Sequence, residues 1–392
     1  MNKEKFEILF LSLVFGGFAF LSFIFSGLKL SSSLFTGIYH SAVLIVSIYL
    51  ILTNFNRRIS FLFLIFWFLY IFRIVYDIGI ANIYLSNRLT PLGYIFYAVG
   101  VTFVPALAAS QVSVKSIIKS RNIIFLLLFI SIAWGGINNF NISNFLSFNS
   151  TRFQANDFLQ TIYYGHYSVS LILLAISILF SKNKKYSFIC YVSIILATFS
   201  IGLAGSRSPV FSLFICLILF FTLRKSNLFL KILSFSMFIV FVIYQGANLV
   251  ETSKSYGFET LVNRTEKTLD DGDLSARNIL IKDGLEMFYS NPVLGDAFLL
   301  QEGLGKGYYP HNFFIDTLIS GGVVLTILFI MLLRKGVLLS LRIIRSSNLT
   351  WLGLLFIQYL ALGMASGALW SSKIFWVIFG LIIGMNKSKI NE

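Results

Sequence analysis

The sequence predicts an all-α, polytopic integral membrane protein. Three observations carry that class. Of the 392 residues 57% are hydrophobic and only 12% charged, with a mean hydropathy of +0.83; a soluble domain of this length carries about twice that charge. Apolar runs of roughly 18 residues or more recur along the whole chain, each long enough to cross a bilayer. Lys and Arg are spread unevenly over the connections, as a fixed membrane orientation requires.

About twelve spans follow in order: 6–28, 34–53, 59–80, 94–111, 122–137, 162–180, 186–204, 208–223, 228–247, 311–333, 350–367 and 370–385. Inside hydrocarbon the backbone must satisfy its own hydrogen bonds, so each is a helix. The first lacks a small-residue cleavage site followed by a soluble domain and reads as a retained helix, not a signal peptide. With the N-terminus in the cytoplasm, that side receives 19 of the 31 basic residues and three acids, Glu4, Glu7 and Glu392. The other side and the membrane interior hold 12 basic and 13 acidic residues. Both termini are therefore expected in the cytoplasm. The net charge of +15 follows from this asymmetry and does not argue for nucleic acid; no basic–aromatic module or zinc knuckle is present. Cys190 and Cys216 lie within apolar spans and imply neither a disulfide nor a metal site.

Most connections are short, and residues 1–392 read as a single polytopic domain. Two external segments are longer. One covers about 138–161 and is rich in Asn and Ser; the other, about 248–310, holds 10 of the 16 acidic residues and is expected to contain short helices. Chemistry on an external substrate belongs there, because loops on a rigid scaffold carry function. Within the larger loop, "DLSARNILIKDGLEMFYSNP" (273–292) has a good N-cap in Ser275 and a stop in Pro292. Leu280, Ile281, Leu285, Met287 and Phe288 form one face of that helix; Asn278, Lys282, Asp283 and Glu286 form the other. Arg277 falls in the middle of the apolar face, at the first turn, where a cation is unfavourable for the helix dipole and calls for an anionic partner. That partner is either a nearby acid or a functional anion.

A second arginine raises the same question. "GLAGSRSPVF" (202–211) breaks two spans with small residues and proline, and sets Arg207 in a turn rich in backbone N–H groups that resembles a phosphate-binding nest. Arginine grips phosphate bidentately, which lysine cannot. The plainer alternative is an external turn with one interfacial cation. Arg152, in "NSTRFQ", precedes "YYGHYS", which places His166 near the outer end of its span.

The third element is "YYPHNFFIDTLISGG" (308–322). Pro310 is expected to begin a helix with His311 in its first turn, where added positive charge is disfavoured and the imidazole is held neutral, able to accept a proton. Asn312, Asp316 and Ser320, spaced four apart, make a polar stripe on the same helix. An aspartate this far into a membrane span implies a paired or water-lined setting, or a structural cluster that closes the bundle. Other signals are weaker. "DDGD" (270–273) has a spacing that could hold a divalent cation, but reads as a solvated turn before a helix. "GLGKG" (303–307) follows no strand and lacks the Ser or Thr of a P-loop. Arg73 and Asp77, four apart inside the third span, read as an internal ion pair.

In combination, "GSRSP" before one span, "SARN…LEMFYSNPVLG" in a large external loop and "YPHNFFIDTLISGG" opening the next span resemble the O-antigen polymerase and ligase superfamily of bacterial inner-membrane glycosyltransferases. The resemblance covers roughly residues 150–330. "TRFQANDFLQTIYYGHYS" and "YPHNFFID" look more like the polymerase branch than the ligase. It implies oligosaccharides on undecaprenyl pyrophosphate as substrates, with the growing glycan moved from its lipid carrier onto a new lipid-linked repeat unit. Arg207 and Arg277, joined by Arg152, would hold the leaving pyrophosphate. His311 would take or orient the proton of the acceptor hydroxyl, and His166, Asn312 and Asp316 would complete the substrate-binding set. The donor is already activated, so no cofactor, nucleotide sugar or metal is implied; membrane lipids and a chain-length regulator are implied partners. In the ligase the acceptor would be lipid A-core. A lipid-linked oligosaccharide flippase or transporter is the alternative of another class; it would be expected to place its charges at the membrane midplane on repeat-related broken helices. Here most of the candidate charges cluster at the outer ends of spans and in the one large outer loop, which favours an extracytoplasmic enzyme, placed by the resemblance on the periplasmic face of the inner membrane.

The charge asymmetry makes a topological prediction. In whole cells an impermeant thiol reagent should miss Ile118→Cys and label Thr268→Cys. The reverse pattern would invert the orientation.

Overall fold

The structure is a computed structural model and describes residues 3–29, 31–54, 60–86, 89–139, 156, 158–181, 186–204, 206–224, 275–345 and 348–385. These residues form an all-helical chain without strands. In order the helices are α1 (Lys3–Gly27), α2 (Ser32–Asn54), α3 (Phe61–Gly79), α4 (Pro91–Ala109), α5 (Val114–Asn139), α6 (Thr161–Leu179), α7 (Ser187–Ala204) and α8 (Arg207–Leu223). They continue as α9 (Ser275–Ser290), α10 (Phe313–Arg345), α11 (Thr350–Ser366) and α12 (Lys373–Gly384). Among the described residues eight helices, α1–α7 and α10, are long and apolar enough to cross a membrane, and α8, α11 and α12 are shorter apolar helices. The expected span at 228–247 lies outside the described residues, as do Arg152 and "DDGD".

The chain packs as two compact units, each discontinuous in sequence. Unit 1 comprises 1–39, 115–273 and 341–358; unit 2 comprises 40–114, 274–340 and 359–392. In unit 1, α6 is buried along nearly its whole length, from Tyr164 to Ile178. Small residues let its neighbours approach: a Cβ on Gly165 would come within 2.7 Å of the Pro209 ring of α8, and one on Gly135 of α5 within 3.0 Å of the Tyr164 ring. Tyr164 in turn spans to α5 and α7, its hydroxyl 3.2 Å from both Ile132 O and Ser200 Oγ.

In unit 2 the segment expected as one span at 311–333 is not straight. Gly321 (φ −149°, ψ 19°) and Gly322 (φ 58°, ψ −151°) interrupt α10. Thr317 and Thr326 would lie about 13 Å apart along an unbroken helix; their hydroxyls are 3.1 Å apart. The rings of Phe313 and Phe314 likewise sit 6.1 and 5.8 Å from that of Phe329. Residues 313–320 therefore fold back beside the start of 323–345. The physical cause is local: Gly322 takes a backbone conformation essentially reserved for glycine.

The backbone groups freed at the break are taken up by the turn that follows α9. Asp296 N and Ala297 N donate to Ile319 O at 2.7 and 3.2 Å, and Val323 N donates to Pro292 O at 2.9 Å. This turn is the Asn-Pro-x-x-Gly motif, and its Gly295 (φ 70°) lies so close to the break that a Cβ there would meet Gly321 N at 2.6 Å. α9 itself is amphipathic as expected: Leu280, Ile281, Leu285 and Met287 pack with Ala297, Leu300, Ile315 and Ile319. The predicted Arg73–Asp77 pair is present, with Nε 2.7 Å from Oδ1. Asp77 also receives Phe298 N at 2.8 Å, which ties the descending loop to the end of α3. Glycine is thus required at 322 for two reasons, its conformation and the nearby backbone of Pro292 and Val293. Gly322→Ala should lower stability by about 1–3 kcal/mol or more, read as a lower unfolding temperature of the detergent-solubilised protein. Gly27→Ala, with no atom within 4 Å of the new Cβ, should leave it unchanged. Equal unfolding temperatures for the two variants would remove the break from the account of stability.

Candidate functional site

The start of α10 brings His311, Asn312 and Asp316 together in unit 2. The helix begins at Phe313, not at Pro310: Asn312 is its N-cap, with Oδ1 accepting from Phe314 N at 2.9 Å and Ile315 N at 3.3 Å. Asparagine is among the best residues for this position, which explains why the helix waits for it. His311 is therefore outside the first turn. It adopts a left-handed conformation (φ 56°), uncommon for a residue with a Cβ and typical of strained functional positions.

Three contacts seat this segment against the end of α11 and the link to α12. Asn312 Nδ2 donates to Met364 O at 2.8 Å. His311 Nδ1 lies 3.4 Å from Ser366 O. The Phe313 ring covers Gly363 and Gly367, where a Cβ at Gly367 would meet it at 2.6 Å. A carbonyl oxygen can only accept, so in the neutral imidazole Nδ1 carries the proton and Nε2 the basic lone pair. The half-buried ring also packs on Tyr309, with centroids 4.1 Å apart.

Asp316 is fully buried. Its carboxylate accepts from Tyr70 Oη at 2.8 Å, Ser320 Oγ at 3.2 Å and Leu369 N at 2.9 Å. Three donors on one buried carboxylate offset the cost of burying it. This geometry gives Asp316 the duty of holding α3, α10 and the α11–α12 link in register beneath His311.

In unit 1, Arg207 is the first residue of α8 and is exposed, following Ser206 in extended conformation. His166 is buried at 1% exposure, its Nε2 3.0 Å from Ser208 Oγ. Its backbone oxygen accepts from Gln358 Nε2 at 2.7 Å, and Gln358 Oε1 accepts from Ser170 Oγ at 3.0 Å. His166 thus fixes the turn that presents Arg207. Arg277 belongs to the first turn of α9.

The sequence did not point to Tyr70, Ser208, Gln358 or Leu369, because each acts on a partner far along the chain, up to 246 residues away for Tyr70 and Asp316. Lys373 could have been found. It is the first residue of α12, only 8% exposed and within electrostatic reach of His40. A lysine at the head of an apolar helix ordinarily snorkels to water; the burial of Lys373 is what sets it apart.

The Asp316 cluster generates a stability prediction. Asp316→Ala removes the shared acceptor of Tyr70 Oη, Ser320 Oγ and Leu369 N and strands the buried Leu369 N–H, at about 1–3 kcal/mol for that group. Tyr70→Phe removes one donor and leaves the carboxylate two, at about 1 kcal/mol. Thermal unfolding should rank Asp316→Ala well below Tyr70→Phe, with the double variant losing less than the sum because the two share a bond. Strict additivity would show that they do not interact.

Comparison with curated proteins gives no match. Residues 192–330, about a third of the chain, match the family model described as O-antigen ligase. The matched stretch runs from α7 into α10 and includes Arg207, Arg277, His311, Asn312 and Asp316. Over that stretch the chain is similar to the O-antigen ligase family, consistent with the O-antigen ligase and polymerase superfamily.

Proposed function

We propose that the protein is an O-antigen polymerase that transfers the growing glycan from undecaprenyl pyrophosphate to a new lipid-linked repeat unit, on the periplasmic face of the bacterial inner membrane. The observation that carries the proposal is His311: a half-buried imidazole held at the head of a capped helix, its Nδ1 turned to a carbonyl so that Nε2 is the base. The exposed guanidinium of Arg207 at the start of α8 supplies a cation suited to pyrophosphate. In the reaction the acceptor hydroxyl oxygen bonds to the anomeric carbon of the donor sugar. The bond from that carbon to the pyrophosphate oxygen breaks, and the lipid pyrophosphate leaves with the electron pair. His311 takes the hydroxyl proton; Arg207 and Arg277 neutralise the leaving group. His166 and Asp316 act as positioning residues. Ligase activity, with lipid A-core as acceptor, is the second reading, since the family match is to that branch by description. The break in α10 is a feature that a flippase would share.

Inactivating the gene and displaying the lipopolysaccharide separates these. Core bearing a single repeat unit supports the polymerase. Core without repeats points to ligase or flippase, with lipid-linked polymer accumulating outside only for the ligase.

Purified enzyme with synthetic lipid-linked repeat units tests the residues. General-base catalysis is worth about 10²–10⁴-fold, so His311→Ala and His311→Gln should both lose that much rate while remaining folded. Wild-type rate from His311→Gln would reduce His311 to a hydrogen-bonding role. Arg207→Ala and Arg277→Ala should abolish polymer, with lysine restoring only part because the fork is lost; normal polymer from the alanine variants would remove both from the site.

A further inference from the structure

A second property of unit 2 stands independently of the reaction. We infer that the turn Tyr289–Gly295, within a loop expected to lie wholly outside the membrane, is inserted in the hydrocarbon and contacts lipid chains.

The inference rests on depth. Arg334 and Lys335 are both exposed on α10 and cannot lie in hydrocarbon, so they mark where the helix leaves it. Between the break and Arg334 run residues 323–333, a rise of about 16 Å at 1.5 Å per residue. The hydrocarbon core is about 30 Å thick. The break at Gly321–Gly322 is therefore well inside it, and the turn is bonded directly to the break through Val323 N to Pro292 O and Asp296 N to Ile319 O. α3 gives an independent ruler. Lys335 Nζ is 3.4 Å from Ser60 Oγ, so α3 starts at the level of Lys335. α3 has 19 residues and ends at Gly79, about 28 Å further on. The chain after the turn reaches only Asp77, where Phe298 N is bonded, two residues short of that end.

The surface chemistry agrees. Tyr289, Val293 and Leu294 are 72%, 62% and 69% exposed. They continue an apolar face of α10 formed by Val323, Ile327 and Ile330, each more than 40% exposed. Irregular backbone at this depth must satisfy its polar groups within the protein. Pro292 has no N–H and its oxygen is used; Gly295, Asp296 and Ala297 N–H groups donate to backbone oxygens, whereas those of Val293 and Leu294 make no backbone hydrogen bond among the described residues; Asn291 Nδ2 is 3.2 Å from Asp296 Oδ1. The other face of α9 carries exposed Lys282 and Glu286, 3.7 Å apart, as a water-facing helix would.

Spin labels on Val293→Cys, Leu294→Cys, Ile330→Cys and Lys282→Cys in the full chain, reconstituted in phosphatidylcholine vesicles, test this. Cys190 and Cys216 are buried, and labelled wild type is the control. Labels at 293 and 294 should relax with oxygen and resist a water-soluble nickel chelate, matching 330, with an oxygen-to-nickel accessibility ratio several-fold above that at 282. Nickel accessibility at 293 and 294 equal to that at 282 would place the turn in water and overturn the inference. Because these side chains are exposed, the substitutions disturb no packing; unchanged unfolding temperatures verify that.

Discussion

A membrane helix that stops in mid-bilayer leaves backbone donors and acceptors that lipid cannot satisfy, and unit 2 is organised around meeting that demand at Gly321–Gly322. Ile319 O and Val323 N, which an unbroken helix would use internally, are bonded to the turn at Pro292–Ala297. The same turn is fastened by Phe298 N to Asp77, and Asp77 is neutralised by Arg73. The Asn-Pro-x-x-Gly motif is thus understood as the complement of Gly-Gly: proline brings no N–H that would need a partner, and Gly295 permits the close approach.

The fold-back has a consequence for chemistry. It returns Phe313 alongside Phe329, so the residues just before it, His311 and Asn312, are delivered to the end of α11 in place of the head of a straight helix. Asp316 then locks the arrangement from below with Tyr70 and Leu369 N. A hydrogen-bonded polar cluster in a low-dielectric setting is rigid, and a side chain held in a left-handed backbone conformation, as His311 is, depends on such support. Unit 1 uses the same economy of means: Gly165 lets α8 close on α6, and the neighbouring His166 reaches Ser208 to hold the turn bearing Arg207.

Much of this molecule could be read before folding. Hydrophobic length and the Lys/Arg pattern determined the helical membrane class; the amphipathic period determined α9; the i, i+4 spacing determined the Arg73–Asp77 pair. That helices start near Arg207 and near His311 was legible from proline and glycine; the first turn expected to hold His311 instead starts at Phe313, because Asn312 caps it, and Arg207, expected in a turn, is the first residue of α8. These properties depend on residues within a turn or two of one another, or on the solvent a segment prefers. Tertiary structure decided the rest. That 313–320 doubles back, that Asp316 is met by donors 53 and 246 residues away, and that His166 faces inward to Ser208 depend on which distant elements fill the space around each group. A Gly-Gly pair permits many chain directions. Only the backbone partners waiting at Pro292 and Asp296 select one, because in hydrocarbon a direction without partners is too costly to populate.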